Sequence, residues 1–243
     1  MDEFDKALAE QSEQGSPMWE NIRAGRFTAS EFWKLMESGT REMNAAELAA
    51  RPKTGKGSKS KFIEDPSCLS KTTQTYIFQK VAETLTGQSP PEIFSHATAW
   101  GTDMEPIAAE YIGMKYGWEY EILSFVPYGD HAGGSPDRKI KGVNEIVEIK
   151  NPYNSAVQVN YLMLTDQWDL KREYPEHYWQ CMANILFTHA DRCHFFAYDY
   201  RMKEEKHKLA YLIIEPVAED LERIGLKLGA AIREKESILK LLA

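Results

Sequence analysis

The sequence lacks several things, and each shortage removes a class of protein. It holds 3 cysteines, Cys68, Cys181 and Cys193, far apart and odd in number. They make no disulfide framework and lack the paired spacing of a zinc site, so they imply reduced thiols in a cytosol. The histidines at 96, 131, 177, 189, 194 and 207 show no metal-ligand spacing either. They read as structural or surface groups, and only His131 precedes the acidic stretch discussed below closely enough to lie near a site. No apolar run reaches the roughly 18 residues needed to span a membrane. The opening MDEFDKALAE is too acidic and polar for a secretory signal. Basic residues are also scarce: 29 Lys and Arg stand against 37 Asp and Glu, a net charge of -8. That balance argues against a protein that coats nucleic acid non-specifically. It leaves room for an enzyme that meets DNA through a local basic patch and keeps its acids for metal ions.

What is present is ordinary for a globular chain of 243 residues, 43% hydrophobic and 27% charged, and no internal repeat is visible. Thr28 reads as an N-cap with Glu31 in the capping-box position, ahead of Phe32, Trp33, Leu35 and Met36. Arg51 to Lys61, RPKTGKGSKSK, reads as a flexible basic loop. Residues 73–86 read as a helix stopping near Gly87, before Pro90-Pro91. Residues 98–116 read as a second helix, capped by Thr98 and stopped by Gly117, with Pro106 marking a first turn. Three strands follow at 118–128, 137–141 and 144–150, with turns at Gly129, Gly133-Gly134 and Gly142. A helix from about Pro175 to Phe187, strands at 193–200 and 208–215, and one amphipathic helix from Val217 complete the chain. The last helix carries Leu221, Ile224, Leu228, Ile232, Ile238 and Leu242 on its apolar stripe. The expected fold is α/β, a mixed central β-sheet flanked by helices. The expected organisation is one domain over 1–243, with a helical part to about 117, a sheet core over 118–215 and a final helix over 217–242.

The chemistry sits in GGSPDRKIKGVNEIVEIKNP, from Gly133 to Pro152. Residues two apart in a strand share a face. Glu148 and Lys150 therefore point together, while Val147 and Ile149 point to the core. Asp137 opens the preceding strand, so a hairpin brings its carboxylate beside Glu148. Two adjacent carboxylates raise each other's pKa unless a cation lies between them. Mg²⁺ suits such a site because it prefers hard oxygen ligands and keeps waters that a substrate phosphate can replace. Lys150 stands where it can orient or deprotonate a metal-bound water, or balance charge on a phosphorane-like transition state. A solvated hairpin with an exposed salt bridge would carry the same letters. The Ser135-Pro136 turn and the apolar setting of Glu148 and Lys150 favour the site, since charges buried there are costly without partners.

Taken in order, these stretches resemble a known family. Ser135-Pro136-Asp137 with Glu148-Ile149-Lys150 resembles the core of the PD-(D/E)XK nucleases, the restriction-endonuclease-like core. The flanks are similar to the lambda-exonuclease type, the phage recombination or alkaline exonucleases. Trp19, Arg23, Gly25 and Thr28-Ala29-Ser30 resemble the N-terminal segment in which an arginine and a serine hold the 5′-phosphate of a DNA end. AWGTDMEP, Ala99 to Pro106, resembles the helix that contributes another acid, here Glu105. YWQCM resembles the helix whose glutamine orients the active site, here Gln180, and YDYRMKEEKHKLAYLIIE the hairpin that closes the sheet. The likeness covers about residues 17 to 215. The gap from Asp137 to Glu148 is one residue longer than in lambda exonuclease, which a turn at Gly142 absorbs. Residues 38–71 are longer and richer in lysine, which leaves open which of them contact or split the duplex.

The resemblance implies a processive 5′→3′ exonuclease on double-stranded DNA that leaves 3′ single strands for annealing-type recombination. It implies Mg²⁺, with Mn²⁺ as a substitute, held by Asp137, Glu148, the carbonyl of Ile149 and Glu105. It implies a 5′-phosphate site at Arg23 and Ser30. Ser135 either contacts a phosphate as well or stabilises its turn. Further implications are a homotrimeric ring around DNA, a single-strand annealing protein as partner, no membrane association, and a phage or mobile-element gene acting in a bacterial cytoplasm. Trp100 and Trp179, each beside a site residue, read as core rather than as base-stacking platforms. An endonuclease of the same fold and a non-catalytic DNA-end-binding module remain the alternatives.

Overall fold

The structure, a computed structural model, describes residues 16–51, 60–90 and 95–243. The acidic opening stretch, most of the basic run from Arg51 to Lys61 and Pro91 of the Pro-Pro pair lie outside the described residues. In chain order come α1 (Pro17–Arg23), β1 (Phe27–Thr28), a 3-10 turn (Ala29–Glu31), α2 (Trp33–Met36), β2 (Ser38–Glu42), α3 (Ala45–Ala50) and β3 (Phe62–Leu69). Then follow α4 (Lys71–Thr86), α5 (His96–Tyr116), β4 (Tyr120–Glu121), β5 (Val126–Tyr128), β6 (Ala132–Gly134), β7 (Arg138–Ile140) and β8 (Glu145–Lys150). The chain ends with α6 (Ser155–Leu162), α7 (Gln167–Glu173), α8 (Pro175–Thr188), β9 (Arg192–Tyr198), α9 (Glu205–Lys208), β10 (Leu209–Ile214) and α10 (Ala218–Leu242).

The expected mixed sheet forms, in the order β10-β9-β8-β7-β4. Within this sheet only β8 and β9 run parallel. A parallel neighbour needs a crossover rather than a hairpin, and α6, α7 and α8 supply it. Strand alternation then sorts the side chains of β8. Val147 and Ile149 join Phe196, Tyr198 and the Met104, Ala108 and Ile112 face of α5 in one core. Ile146 joins the larger core with Met182, Ile185, Phe195 and the Ile224 and Leu228 stripe of α10. Glu148 and Lys150 are in step with Ile146, so they face α8.

Several expectations are corrected. The stretch 118–128 is not one strand. It breaks between β4, which pairs with β7, and β5, which pairs with β6 in a second sheet ordered β1-β6-β5. Gly133 and Gly134 are not a turn but buried residues of β6. A Cβ on Gly133 would lie 2.3 Å from the Phe125 ring, and one on Gly134 2.2 Å from Asn184 Oδ1, so only hydrogen fits. The second helix starts at His96, capped by Ser95, whose hydroxyl accepts from the Thr98 N–H; Thr98 is no cap, and Pro106 lies inside the helix. Thr28 has an extended backbone but makes no side-chain cap. Its capping box is absent because Glu31 turns instead to Lys34 and Lys80. Leu242, placed on the apolar stripe of the last helix, is exposed.

Candidate active site

The β7–β8 hairpin places Arg138 opposite Val147, so Asp137 arrives beside Glu148 as the letters predict. Asp137 Oδ2 accepts the Ile149 N–H at 2.6 Å. Glu148 is 1% exposed, and its Oε1 lies 2.6 Å from Lys150 Nζ. From α8, Gln180 Oε1 takes a second Lys150 proton at 3.1 Å, and Asn184 Nδ2 donates to Glu148 Oε2 at 3.3 Å. Gln180 and Asn184 are four apart and therefore share one helix face. Asn184 was missed in the sequence, although a polar pair at helical spacing inside the apolar YWQCMANILF was the available signal.

Burial, with Glu148 and then Glu105 nearby, holds the Asp137 carboxyl well above the usual carboxylate range. Burial also raises Glu148, although Lys150 opposes the shift. Burial alone would lower Lys150, but Glu148 and Asp137 outweigh it and keep the group an ammonium. Glu105 lines the same cavity, yet its carboxylate is drawn to Arg138 at 2.7 Å. Among the described residues, no three Asp, Glu, His or Cys side chains converge closely enough to hold an ion. The donors on offer are thus two crowded carboxylates short of positive charge, with Ile149 beside them and Glu105 on the wall of the same cavity. That set fits Mg²⁺, which takes one or two carboxylates and fills its other positions with water and phosphate.

Two cavities meet here. The larger, about 670 Å³, runs from Glu105, Asp137, Glu148 and Lys150 out to Tyr153 and Tyr161. The smaller, about 230 Å³, is lined by Trp19, Arg23, Thr28, Ser30, Ser135 and, again, Asp137 and Gln180. The three residues expected to hold a 5′-phosphate thus share one cavity that opens onto the acidic pair. The Arg23 guanidinium stacks on Trp19 at 3.7 Å, and the Trp19 indole N–H donates to Ser135 Oγ at 3.1 Å. Burial pulls Arg23 below its ordinary value, and its nearest acid, Glu20, is 4.0 Å away. A half-buried guanidinium with so distant a partner is suited to an incoming anion.

The helix start expected beneath that anion is not there. Ser30 sits in a 3-10 turn followed by a four-residue helix, too short to focus a helix dipole. The Gly25 turn that follows α1 and the 3-10 turn itself are held by side chains instead. Gly25 has φ +76, and a Cβ there would meet Thr84 Oγ1 at 2.5 Å. Its N–H donates to Glu83 Oε2 at 2.8 Å, and its carbonyl accepts from Lys235 Nζ at 2.6 Å. Lys80 pairs with Glu83 at 3.0 Å and with Glu31 at 3.6 Å. His131 lines neither cavity and lies 3.6 Å from Glu236. Trp179 is core, as expected, and Trp100 packs on the α5 core with its ring turned to Tyr153 and Tyr200.

Residues 18–191 match the family model of the YqaJ-like viral recombinase domain. A search of the curated proteins finds no match. Among solved structures, the chain is similar to the alkaline exonuclease LHK-Exo of Laribacter hongkongensis, at 20% identity and a TM-score of 0.70 over 93% of this chain and 96% of that one. The same enzyme in complex with dAMP matches at 21% identity and a TM-score of 0.70, with the same shares covered. A phage related exonuclease of Haemophilus somnus 129PT matches at 12% identity and a TM-score of 0.63 over 90% of this chain and 96% of that one. At these identities the likeness establishes the fold, which is that of an alkaline exonuclease with its PD-(D/E)XK-like core.

Proposed function

The chain belongs to the YqaJ-like viral recombinase family, and on that premise we propose that it is a Mg²⁺-dependent exonuclease that digests one strand of double-stranded DNA from its 5′ end. The observation that carries this reading is the junction of the two cavities at Asp137 and Gln180. A terminal phosphate held by Arg23, Ser30 and Ser135 leaves the next phosphodiester at the acidic pair. The smaller cavity is about 230 Å³ against about 670 Å³ for the larger, and we read it as the seat of a terminal phosphate rather than of a continuing chain. That favours an exonuclease over an endonuclease of the same fold.

The roles follow from the contacts. Asp137 and Glu148 would hold the cation, with Ile149 and Glu105 as the remaining protein donors. When bound, such a cation would screen the phosphate and acidify water. Lys150, tied to Glu148 and Gln180, is an ammonium and so offers charge and a proton rather than a free base. It is placed to offset negative charge that grows during phosphoryl transfer. Gln180 fixes its direction, and Asn184 fixes Glu148. The related LHK-Exo was solved with dAMP, a nucleotide of the kind that hydrolysis with retention of the 5′-phosphate releases.

The deciding experiment is digestion of linear duplex with and without a 5′-phosphate, and of covalently closed circles, in Mg²⁺, Mn²⁺ or EDTA. We expect mononucleotides and a surviving 3′ strand from phosphorylated linear DNA, intact circles, and no reaction in EDTA. Cut circles would replace the exonuclease with an endonuclease. No cleavage of any DNA would leave a binding module.

A further inference from the structure

The strand that carries Glu148 and Lys150 ends at a loop, Asn151 to Asn154, which lines the larger cavity. Its backbone is unusually well held. Arg201 donates from Nη2 to the Pro152 carbonyl at 2.8 Å and from Nη1 to the Tyr153 carbonyl at 3.0 Å. The same guanidinium grips the buried Asp199 at 2.7 and 3.0 Å and lies 4.5 Å over the Trp100 ring. Trp100 in turn supports the Tyr153 ring edge-on, with centroids 6.1 Å apart. The Arg201 anchors act on the backbone, and Trp100 meets the Tyr153 ring at 76°. The residue stays 53% exposed and lines the cavity. An aromatic held that firmly while open to solvent is built for contact with another flat group.

We propose that Tyr153 is a stacking platform for the base of the nucleotide on the 3′ side of the scissile phosphate, with Arg201 as its positioning residue. This rests on the exonuclease reading above, which sets the direction. The terminal phosphate enters the smaller cavity and the scissile phosphate meets Asp137 and Glu148. The strand that remains must then leave through the larger cavity, where Tyr153 stands. Stacking ignores base identity because every base has a π face, so the platform suits an enzyme that must digest any sequence. Tyr200 is also exposed and stacks on Trp100 at 5.9 Å, but it does not line the cavity, which makes it the matched control.

The test uses a duplex labelled on its 5′-phosphate and follows release of the first nucleotide in single turnover. One substrate is intact, and the other lacks the base of its second nucleotide. We expect the wild type to cut the abasic substrate about 5- to 150-fold more slowly, the range that loss of one stacked base produces. Tyr153→Ala should cut both alike, Tyr153→Phe should keep the discrimination, and Tyr200→Ala should keep it too. Arg201→Lys should weaken the discrimination without altering metal dependence, and if it does not, the positioning role of Arg201 falls. A second readout needs no catalysis: 2-aminopurine at the second position should be quenched on binding in EDTA, and the quenching should disappear in Tyr153→Ala. Equal cutting of the two substrates by the wild type overturns the platform. If no DNA is cut at all but the quenching appears and depends on Tyr153, the exonuclease reading fails and the platform stands.

Discussion

Lys150 sits between a buried carboxylate and a glutamine, and its position suggests a role in turnover rather than grip. In Lys150→Met the aliphatic stem remains and the ammonium is lost. Binding of a duplex end in EDTA should persist, while single-turnover cleavage should fall by roughly 10²-fold or more. Equal losses in both would make Lys150 a phosphate anchor. Arg23 is the opposite case. Arg23→Ala should erase most of the preference for 5′-phosphate over 5′-hydroxyl ends while leaving metal dependence unchanged, as initial rates on the two substrates would show. His177 bears on stability. Burial, then the nearby Lys150, lowers it from 6.5 to about 3, so it is neutral in the fold. The unfolded chain takes up that proton first, so this contribution to stability is complete above 6.5 and is lost as pH falls toward about 3. The slope is about 1.4 kcal/mol per pH unit at most. His177→Phe keeps the stack on Tyr174 and Phe195, and its unfolding free energy should fall less steeply with acid than that of the wild type. Parallel curves would show that His177 titrates normally.

At the level of elements, the site depends on two strands and one helix meeting without a gap. Gly134 in β6 lies against Asn184 of α8 so closely that a methyl would have to displace the amide from Glu148. Gly134→Ala should therefore lower both stability, by about 1–3 kcal/mol, and cleavage, since an overpacked contact here also disturbs the acid. Thermal melts and rates on the same preparation would check it, and a full rate with an unchanged melting temperature would contradict it. The β7–β8 hairpin was legible in the sequence because its letters alternate and its charges break an apolar run. The long helices α4, α8 and α10 were legible from their periodicity and stops. The second sheet was not. Its strands have two or three residues, and β1 pairs with a segment more than a hundred residues away, which no local pattern announces. Gly133-Gly134 misled for a related reason: glycine serves tight packing as well as turns, and only the neighbours decide which. The helix start at Thr28 misled because Glu31 has cationic partners on other elements, which outbid a local cap.

For the whole molecule, the charge of -8 and the proposed action on DNA ends pull in opposite directions. A ring of three subunits around the duplex would reconcile them, because enclosure keeps the enzyme on DNA without a broadly basic surface. Sedimentation should then give the mass of three chains, and digestion begun before a competitor trap is added should continue after it. A monomer whose digestion stops at the trap would remove the ring. The contact between Lys235 and the Gly25 carbonyl joins residues 210 positions apart in sequence. The ribosome delivers the two in a fixed order. By the time Ile214 has emerged, all the strands that carry Asp137, Glu148 and Lys150 have been made, but the turn below Arg23 still waits for α10. A nascent chain therefore makes Asp137, Glu148 and Lys150 well before the Lys235 contact that holds the Gly25 turn can form.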